Sequence, residues 1–340
     1  FIDSDNISDL VVYRPKANKY YITTSTGAYF EIKMGEPESN SFSLPIFGGR
    51  FYAKRTEGDL NGDNISDISY ARLNGEDTRT SWRVSQSNAT EKEFIVPGKA
   101  DAYVAGDYNG DGKIEPAVVY VNSDGNLRWV INDSFNTASV ITYGVNGDSP
   151  VAGDFDCDGK NDLVVARPTN NGYKNWHFAF SSGTSITNYT FGLSGDYNFG
   201  ADMNGDGCDE MVLVRKDANY THYFYRNIFE NRDHYIQWGL ASDTFLPPND
   251  MNGDGIADVV VARTELGGLT FLSRLDGEGP YNPNYHRVMI KRFGLAGDIP
   301  MVGDFSGLNK AEPGVYRPSN NLFYAYANGS IPTTKSGDAT

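Results

Sequence analysis

Residues 153–168 read GDFDCDGKNDLVVARP. Asp154, Asp156, Asp158 and Asp162 fall at positions 1, 3, 5 and 9 of a loop that starts at Asp154. Like charges drawn that close repel one another unless a cation sits between them. Carboxylate oxygens at positions 1, 3, 5 and 9 and a backbone carbonyl at position 7, here Lys160, can converge on one hard divalent ion. A glycine at position 6, here Gly159, permits the sharp turn.

The same spacing recurs. Asp59, Asn61, Asp63, Ile65 and Asp67 repeat it, as do Asp107, Asn109, Asp111, Lys113 and Glu115. Asp202, Asn204, Asp206, Cys208 and Glu210 follow, then Asp250, Asn252, Asp254, Ile256 and Asp258. In each set the position-7 residue is named for its carbonyl. At the N-terminus Asp3, Asp5, Ile7 and Asp9 fit, but Phe1 occupies position 1, so this site is weaker. Near the C-terminus Asp304, Ser306 and Glu312 fit, but Leu308 replaces the acid at position 5. The loops start near residues 1, 59, 107, 154, 202, 250 and 304, a period of about 48 residues.

Each repeat has the same internal order. The acidic loop runs into a β-branched stretch such as Leu163-Val164-Val165, and in six repeats an arginine follows: Arg14, Arg72, Arg167, Arg215, Arg263 or Arg317. A turn leads to an aromatic strand (Trp82, Trp129, Trp176, Tyr223), and a further strand closes on aromatic-Gly, as at Phe191-Gly192. A Gly-Asp then opens the next repeat. Four short strands per unit, with no amphipathic helix period, predict an all-β seven-bladed propeller with residues 1–340 as one domain. Such a ring must close, which places the two ends of the chain together at the first blade.

Calcium suits these loops better than magnesium, because the ligands are almost all protein oxygens. An EF-hand would need a bidentate Glu at position 12, where Val165 stands inside a strand. The count implies about five ions, six if the N-terminal loop binds. Zinc is disfavoured, since His177, His222, His234 and His286 show no ligand spacing with the cysteines. Cys157 and Cys208 lie in successive loops. A bridge between them is one reading and two small, partly buried thiols the other; a bridge needs Cα atoms within ~7 Å.

A net charge of −15 argues against a nucleic-acid partner. Roughly half of the 44 acidic residues stand at loop ligand positions, so the acidity reads mainly as ion binding. No apolar run approaches the ~18 residues that span a membrane. There is no nucleophile elbow, phosphate loop or zinc motif, and neither His177 nor His222 has an evident acid or nucleophile partner. The recurrent arginines read as inter-strand or inter-blade partners.

Loops of the form Gly-Asp-Phe-Asp-x-Asp-Gly-x-x-Asp-Leu-Val-Val, followed by Arg-Pro and preceded by aromatic-Gly-Leu-x-Gly-Asp-x-Pro, resemble the FG-GAP/VCBS repeat family, most closely its bacterial branch. The resemblance covers essentially the whole chain. It implies a seven-bladed ring with calcium in loops on one face and partners bound through loops on the other. On that reading the chain is a secreted or cell-surface, calcium-stabilised module for adhesion or recognition of a protein or glycan. The alternatives are a scaffold unit of a surface assembly and, less well supported, a polysaccharide lyase, for which no catalytic base stands out. Of the irregular insertions that could touch a ligand, the favoured one holds Tyr281, Asn282, Asn284 and Tyr285.

Overall fold

The computed structural model describes residues 101–133, 137–230, 232–275, 287–304, 308–317, 319 and 322–326, together with seven backbone strands between residues 10 and 96. Every regular element among these residues is a β-strand. Chain-neighbouring strands pair antiparallel, so each sheet is a meander. Five sheets have four strands and are numbered here as blades: blade 1 (43–96), blade 2 (102–145), blade 3 (149–193), blade 4 (197–240) and blade 5 (244–295).

The two end sheets have three strands each, at 10–33 and 299–325. Among the described residues the molecule is a β-propeller with five full blades, which corrects the expected seven. The physical reason is that counting acidic loops counts hairpins, and a hairpin does not guarantee four strands. The first strand, Leu10–Arg14, lies beside the last, Leu322–Ala325, so the end sheets are neighbours. The expected meeting of residues 1 and 340 lies outside the described residues.

The core sits between successive blades. Val164, Trp176, Phe178 and Phe191 of blade 3 pack with Met211 and Leu213 of blade 4. The third-strand residues Trp129, Trp176, Tyr223 and Phe271 are almost wholly buried. Their polar edges are satisfied: Trp176 Nε1 donates to the Phe191 carbonyl at 3.0 Å, and Tyr223 Oη to Val260 of the next blade at 3.2 Å. The tryptophans thus serve packing, each with one hydrogen bond to hold its orientation.

The aromatic-Gly signature marks where blades approach most closely. Gly192 has φ +93°, and a Cβ there would stand 2.3 Å from a methyl of Leu213 in the next blade. Only glycine meets both demands.

Antiparallel pairing also sorts the connections. The loops between first and second strands, which carry the acidic motifs, emerge on one face with the third-to-fourth loops. The second-to-third turns and the blade-to-blade crossings emerge on the opposite face.

Candidate metal centres and the clamps between blades

The acidic loop is held by its own ligands. In blade 3 the Asp154 carboxylate accepts from the N–H groups of Asp158 (3.2 Å) and Gly159 (3.0 Å). Asp158 accepts from Lys160 N at 2.9 Å, and Asp162 from Phe155 N at 2.7 Å. Asp107, Asp202 and Asp250 accept from the N–H groups of positions 4 and 6 in blades 2, 4 and 5. Glu115, Glu210 and Asp258 likewise accept from position 2, at Tyr108, Met203 and Met251. Position 2 is apolar and its side chain is buried at Phe155, Met203 and Met251, which pins the loop to the core.

Two residues per loop take left-handed backbone. Position 6 was expected to do so, and does at Gly112, Gly159, Gly207 and Gly255. Position 4 was not foreseen: Gly110, Gly205 and Gly253 occupy it at φ 80–85°, and Cys157 holds it in blade 3 at φ 68°.

These bonds draw carboxylates together. Oxygens of Asp107, Asp111 and Glu115 lie within 4.8 Å of one another, as do those of Asp154, Asp156 and Asp162. Asp107, Glu115, Asp154 and Asp162 are each at least 96% buried. Asp156 Oδ1 is buried without a hydrogen-bond partner. Like charges in one buried cluster and an orphaned carboxylate oxygen fit a hard cation. In blades 4 and 5 the amide nitrogens of Asn204 and Asn252 reach the position-5 carboxylates of Asp206 and Asp254, at 3.0 and 2.8 Å. The end loop 304–312 keeps the bonds from Asp304 to Leu308 N and Asn309 N, without an acid at position 5. Loops 1–9 and 59–67 and the segment Tyr281–Tyr285 lie outside the described residues.

In the cation-free protein, burial pushes Glu115 and Asp162 up to about 7 and Glu210 up to about 8, with neighbouring carboxylates adding to the rise at each. A carboxyl whose folded pKa exceeds its unfolded one binds more protons when folded. Its contribution is then most favourable at low pH and is lost as pH rises through 7 to 8. In EDTA the Tm is expected to be several degrees higher at pH 6.5 than at pH 8.5. With calcium present the order reverses, because protons and the ion compete for the same oxygens. Thermal unfolding at the two pH values, with and without calcium, tests both signs.

Successive loops are joined. Asn161 N donates to the Asp107 carbonyl, Asp209 N to Asp154, Ala257 N to Asp202 and Ala311 N to Asp250, at 2.6–2.8 Å. Position 8 of each loop thus donates to position 1 of the loop before it. The Asp209 side chain also accepts from Asp154 N at 2.9 Å, where a Cβ on Gly153 would stand 2.5 Å from the same carboxylate. Cys157 and Cys208 form a disulfide between the loops of blades 3 and 4, with Cα atoms 4.9 Å apart. Backbone bonds of this kind leave no mark on side-chain identity, so no motif announces them.

On the opposite face the recurrent arginines find their partners. Arg167, Arg215, Arg263 and Arg317 each grip one aspartate through two bonds of 2.6–2.8 Å: Asp148, Asp196, Asp243 and Asp298. Asp148, Asp196 and Asp298 are the aspartates of the Gly-Asp signature, which motif reading took only as a strand opening, and Asp243 holds the same place after Ser242. Each also accepts from the backbone N–H three residues earlier, such as Leu193 for Asp196 at 2.8 Å. In blade 2, where Tyr120 takes the arginine's place, Asp101 instead accepts from Val121 N. The Asp196 side chain is 2% exposed and the Arg215 side chain 34%, so solvent screens the pair in part. Asp196→Ala is expected to cost about 2 kcal/mol, below the loss for a fully buried pair. A double-mutant cycle with Arg215→Ala should return a coupling of about 1 kcal/mol.

One expectation about the histidines is overturned. His222 does have acid and phenol partners: Nε2 lies 2.8 Å from Asp217 Oδ2, and Nδ1 lies 2.9 Å from Tyr235 Oη. Tyr235 stands on the neighbouring strand, beyond what local spacing reveals. His177 Nε2 is buried without a hydrogen-bond partner.

Fold and loops together define a β-propeller with acidic, cation-type hairpins. Residues 107–165, from the loop of blade 2 through that of blade 3, match the family model of the FG-GAP-like repeat, so this stretch is such a repeat. No curated protein matches the sequence. Among solved structures, the chain is similar to a six-bladed fungal lectin of Aleuria aurantia described with a novel fucose recognition mode. Identity is 12%, coverage 84% of this chain and 96% of that one, and the TM-score 0.47. It is also similar to a functionally unknown protein of Desulfotomaculum acetoxidans (10% identity, 94% and 95% covered, TM-score 0.43). A third is the rhamnogalacturonan lyase YesW (12% identity, 95% and 76% covered, TM-score 0.43).

Proposed function

We propose that this chain is an extracellular recognition module, a propeller stiffened by calcium on one face and presenting a binding surface for a glycan or protein on the other. The observation that carries the reading is where the exposed apolar side chains gather. Tyr173, Leu193, Tyr197, Tyr220 and Leu240, at strand ends that border turns or crossings opposite the acidic loops, and Leu266, in such a turn, are each at least 40% exposed. Apolar groups clustered on one end of a rigid scaffold mark an interaction surface.

Five to six calcium ions would be held by the loop carboxylates, Asn oxygens and position-7 carbonyls named above; the ion would supply charge compensation and crosslinking. Loops of this kind suit millimolar extracellular calcium, and the disulfide suits an oxidising compartment. Among the described residues no helix is long and apolar enough to cross a membrane. The half-buried Arg–Asp pairs are engaged in joining strands and crossings, which supports a binding role over catalysis.

The test is a glycan and matrix-protein array probed with the purified chain in ~1 mM calcium and again in EDTA. Specific, calcium-dependent retention is expected. A blank array from folded protein would shift the reading to a scaffold unit, to be pursued through self-assembly.

A further inference from the structure

The seam between blades 3 and 4 differs from its neighbours. Along the face of blade 4 that looks toward blade 3 stand His222, Phe224 and Arg226 on the third strand, with Tyr235 and Gln237 beside them on the fourth. Blade 3 contributes Tyr189, whose ring lies 5.8 Å from the Arg226 guanidinium. The matching third-strand positions of blade 5 are Thr270, Leu272 and Arg274, and Leu272 is covered by Trp238 through a hydrogen bond to its carbonyl.

Tyr235 is 47% exposed, yet its hydroxyl turns inward. Asp217 Oδ1 is itself fixed by the N–H groups of Asn219 and Tyr220, both at 2.7 Å, and its Oδ2 takes the Nε2 proton of His222. Nδ1 is then left as an acceptor for the Tyr235 hydroxyl. The chain Asp217–His222–Tyr235 locks an exposed phenol ring in place, with Phe224 tilted against it at 5.3 Å between centroids. The ring therefore needs no solvent to satisfy its hydroxyl, and it gives up little conformational freedom on binding.

The cations of the seam are paired, Arg226 with Asp233 and Arg215 with Asp196, while a neutral His222 leaves the Asp217 carboxylate its charge. An anionic ligand would find no free cation here and would meet that carboxylate. A ring with one apolar C–H face and a polar rim would find an aromatic platform edged by Gln237, with the Asp217–His222 pair behind its hydroxyl. We propose that this seam binds a neutral saccharide, with Tyr235 as the stacking platform and the Asp217–His222 pair as its positioning residues. The proposal deepens the recognition reading and rests on it.

The experiment uses the full chain in calcium on an array carrying neutral glycans, acidic glycans and matrix proteins. It compares wild type with Tyr235→Ala, Tyr235→Phe, His222→Ala and, as a distant surface control, Ile290→Thr in blade 5. Thermal unfolding of each variant verifies folding. Wild type is expected to retain neutral glycans, Tyr235→Ala to lose at least about tenfold in affinity, and Tyr235→Phe and His222→Ala to lose less. The control should bind as wild type does. Neutral-glycan binding that survives Tyr235→Ala in folded protein would overturn the seam while leaving the recognition module standing. So would retention of acidic glycans or proteins alone. A wild-type array blank for every probe would overturn the module itself, and the seam with it.

Discussion

Stripping calcium with EDTA is expected to lower the Tm by at least ~10 °C and to open the ring to proteolysis. A ligand that binds only the folded state, at a hundred times its Kd, adds about 2.7 kcal/mol per site. The loops starting at Asp107, Asp154, Asp202 and Asp250 carry oxygen side chains at positions 1, 3, 5 and 9. Four such sites together contribute on the order of 10 kcal/mol, comparable with the whole stability of an ordinary domain. The effect is cooperative by construction. Each loop donates to the one before it through the bonds at Asn161, Asp209, Ala257 and Ala311, so a loop that loosens releases its neighbour.

Calorimetry across a calcium series should show the Tm climbing with concentration. Asp154→Ala should remove one ion from the stoichiometry, whereas Asp304→Ala should leave it unchanged, since Leu308 already denies that loop its position-5 acid. An EDTA shift below ~2 °C would mean that the internal hydrogen bonds suffice and that the ions are incidental.

How far the residues announced this arrangement depends on what each signal is made of. The acidic spacing and the β-branched runs are side-chain patterns with a fixed period, so the strand order within a blade was legible from Leu163-Val164-Val165 and its equivalents. The position-4 turn was hidden, because blade 3 fills it with Cys157 where the other described loops use glycine. The Arg215–Asp196 clamp was half legible: the arginines recur visibly, but their partners stand about 19 residues upstream in another motif. The Tyr235–His222 contact crosses between strands in a register that only the bulge near Tyr220 and His222 defines. The blade count among the described residues fell short for a related reason, since a loop motif reports a hairpin and says nothing of the innermost or outermost strand of its blade.

Opening the Cys157–Cys208 bridge is the other large perturbation. It closes a chain loop of 51 residues, for which restriction of the unfolded ensemble predicts a loss of about 4 kcal/mol on removal. Cys157 is exposed, so a reductant can reach it, while Cys208 is buried. The backbone adds a second effect that separates two otherwise similar variants. Cys157 holds φ 68°, a conformation that costs a side-chain-bearing residue about 1–2 kcal/mol and glycine almost nothing. The double variant Cys157→Gly, Cys208→Ser is therefore expected to be more stable than Cys157→Ser, Cys208→Ser by about 1 kcal/mol, with both below the bridged protein. Cys208 also occupies position 7, whose carbonyl would complete the ligand set of its loop on the proposed reading. Freed from the bridge, that carbonyl is less firmly held, and the calcium affinity of the loop at Asp202 should fall several-fold while the loop at Asp250 keeps its own. Denaturant unfolding in saturating calcium isolates the backbone effect, and calcium titration of the reduced protein isolates the effect on the ion. If the glycine and serine variants unfold at the same denaturant concentration, the left-handed turn at position 4 is not a constraint on this loop.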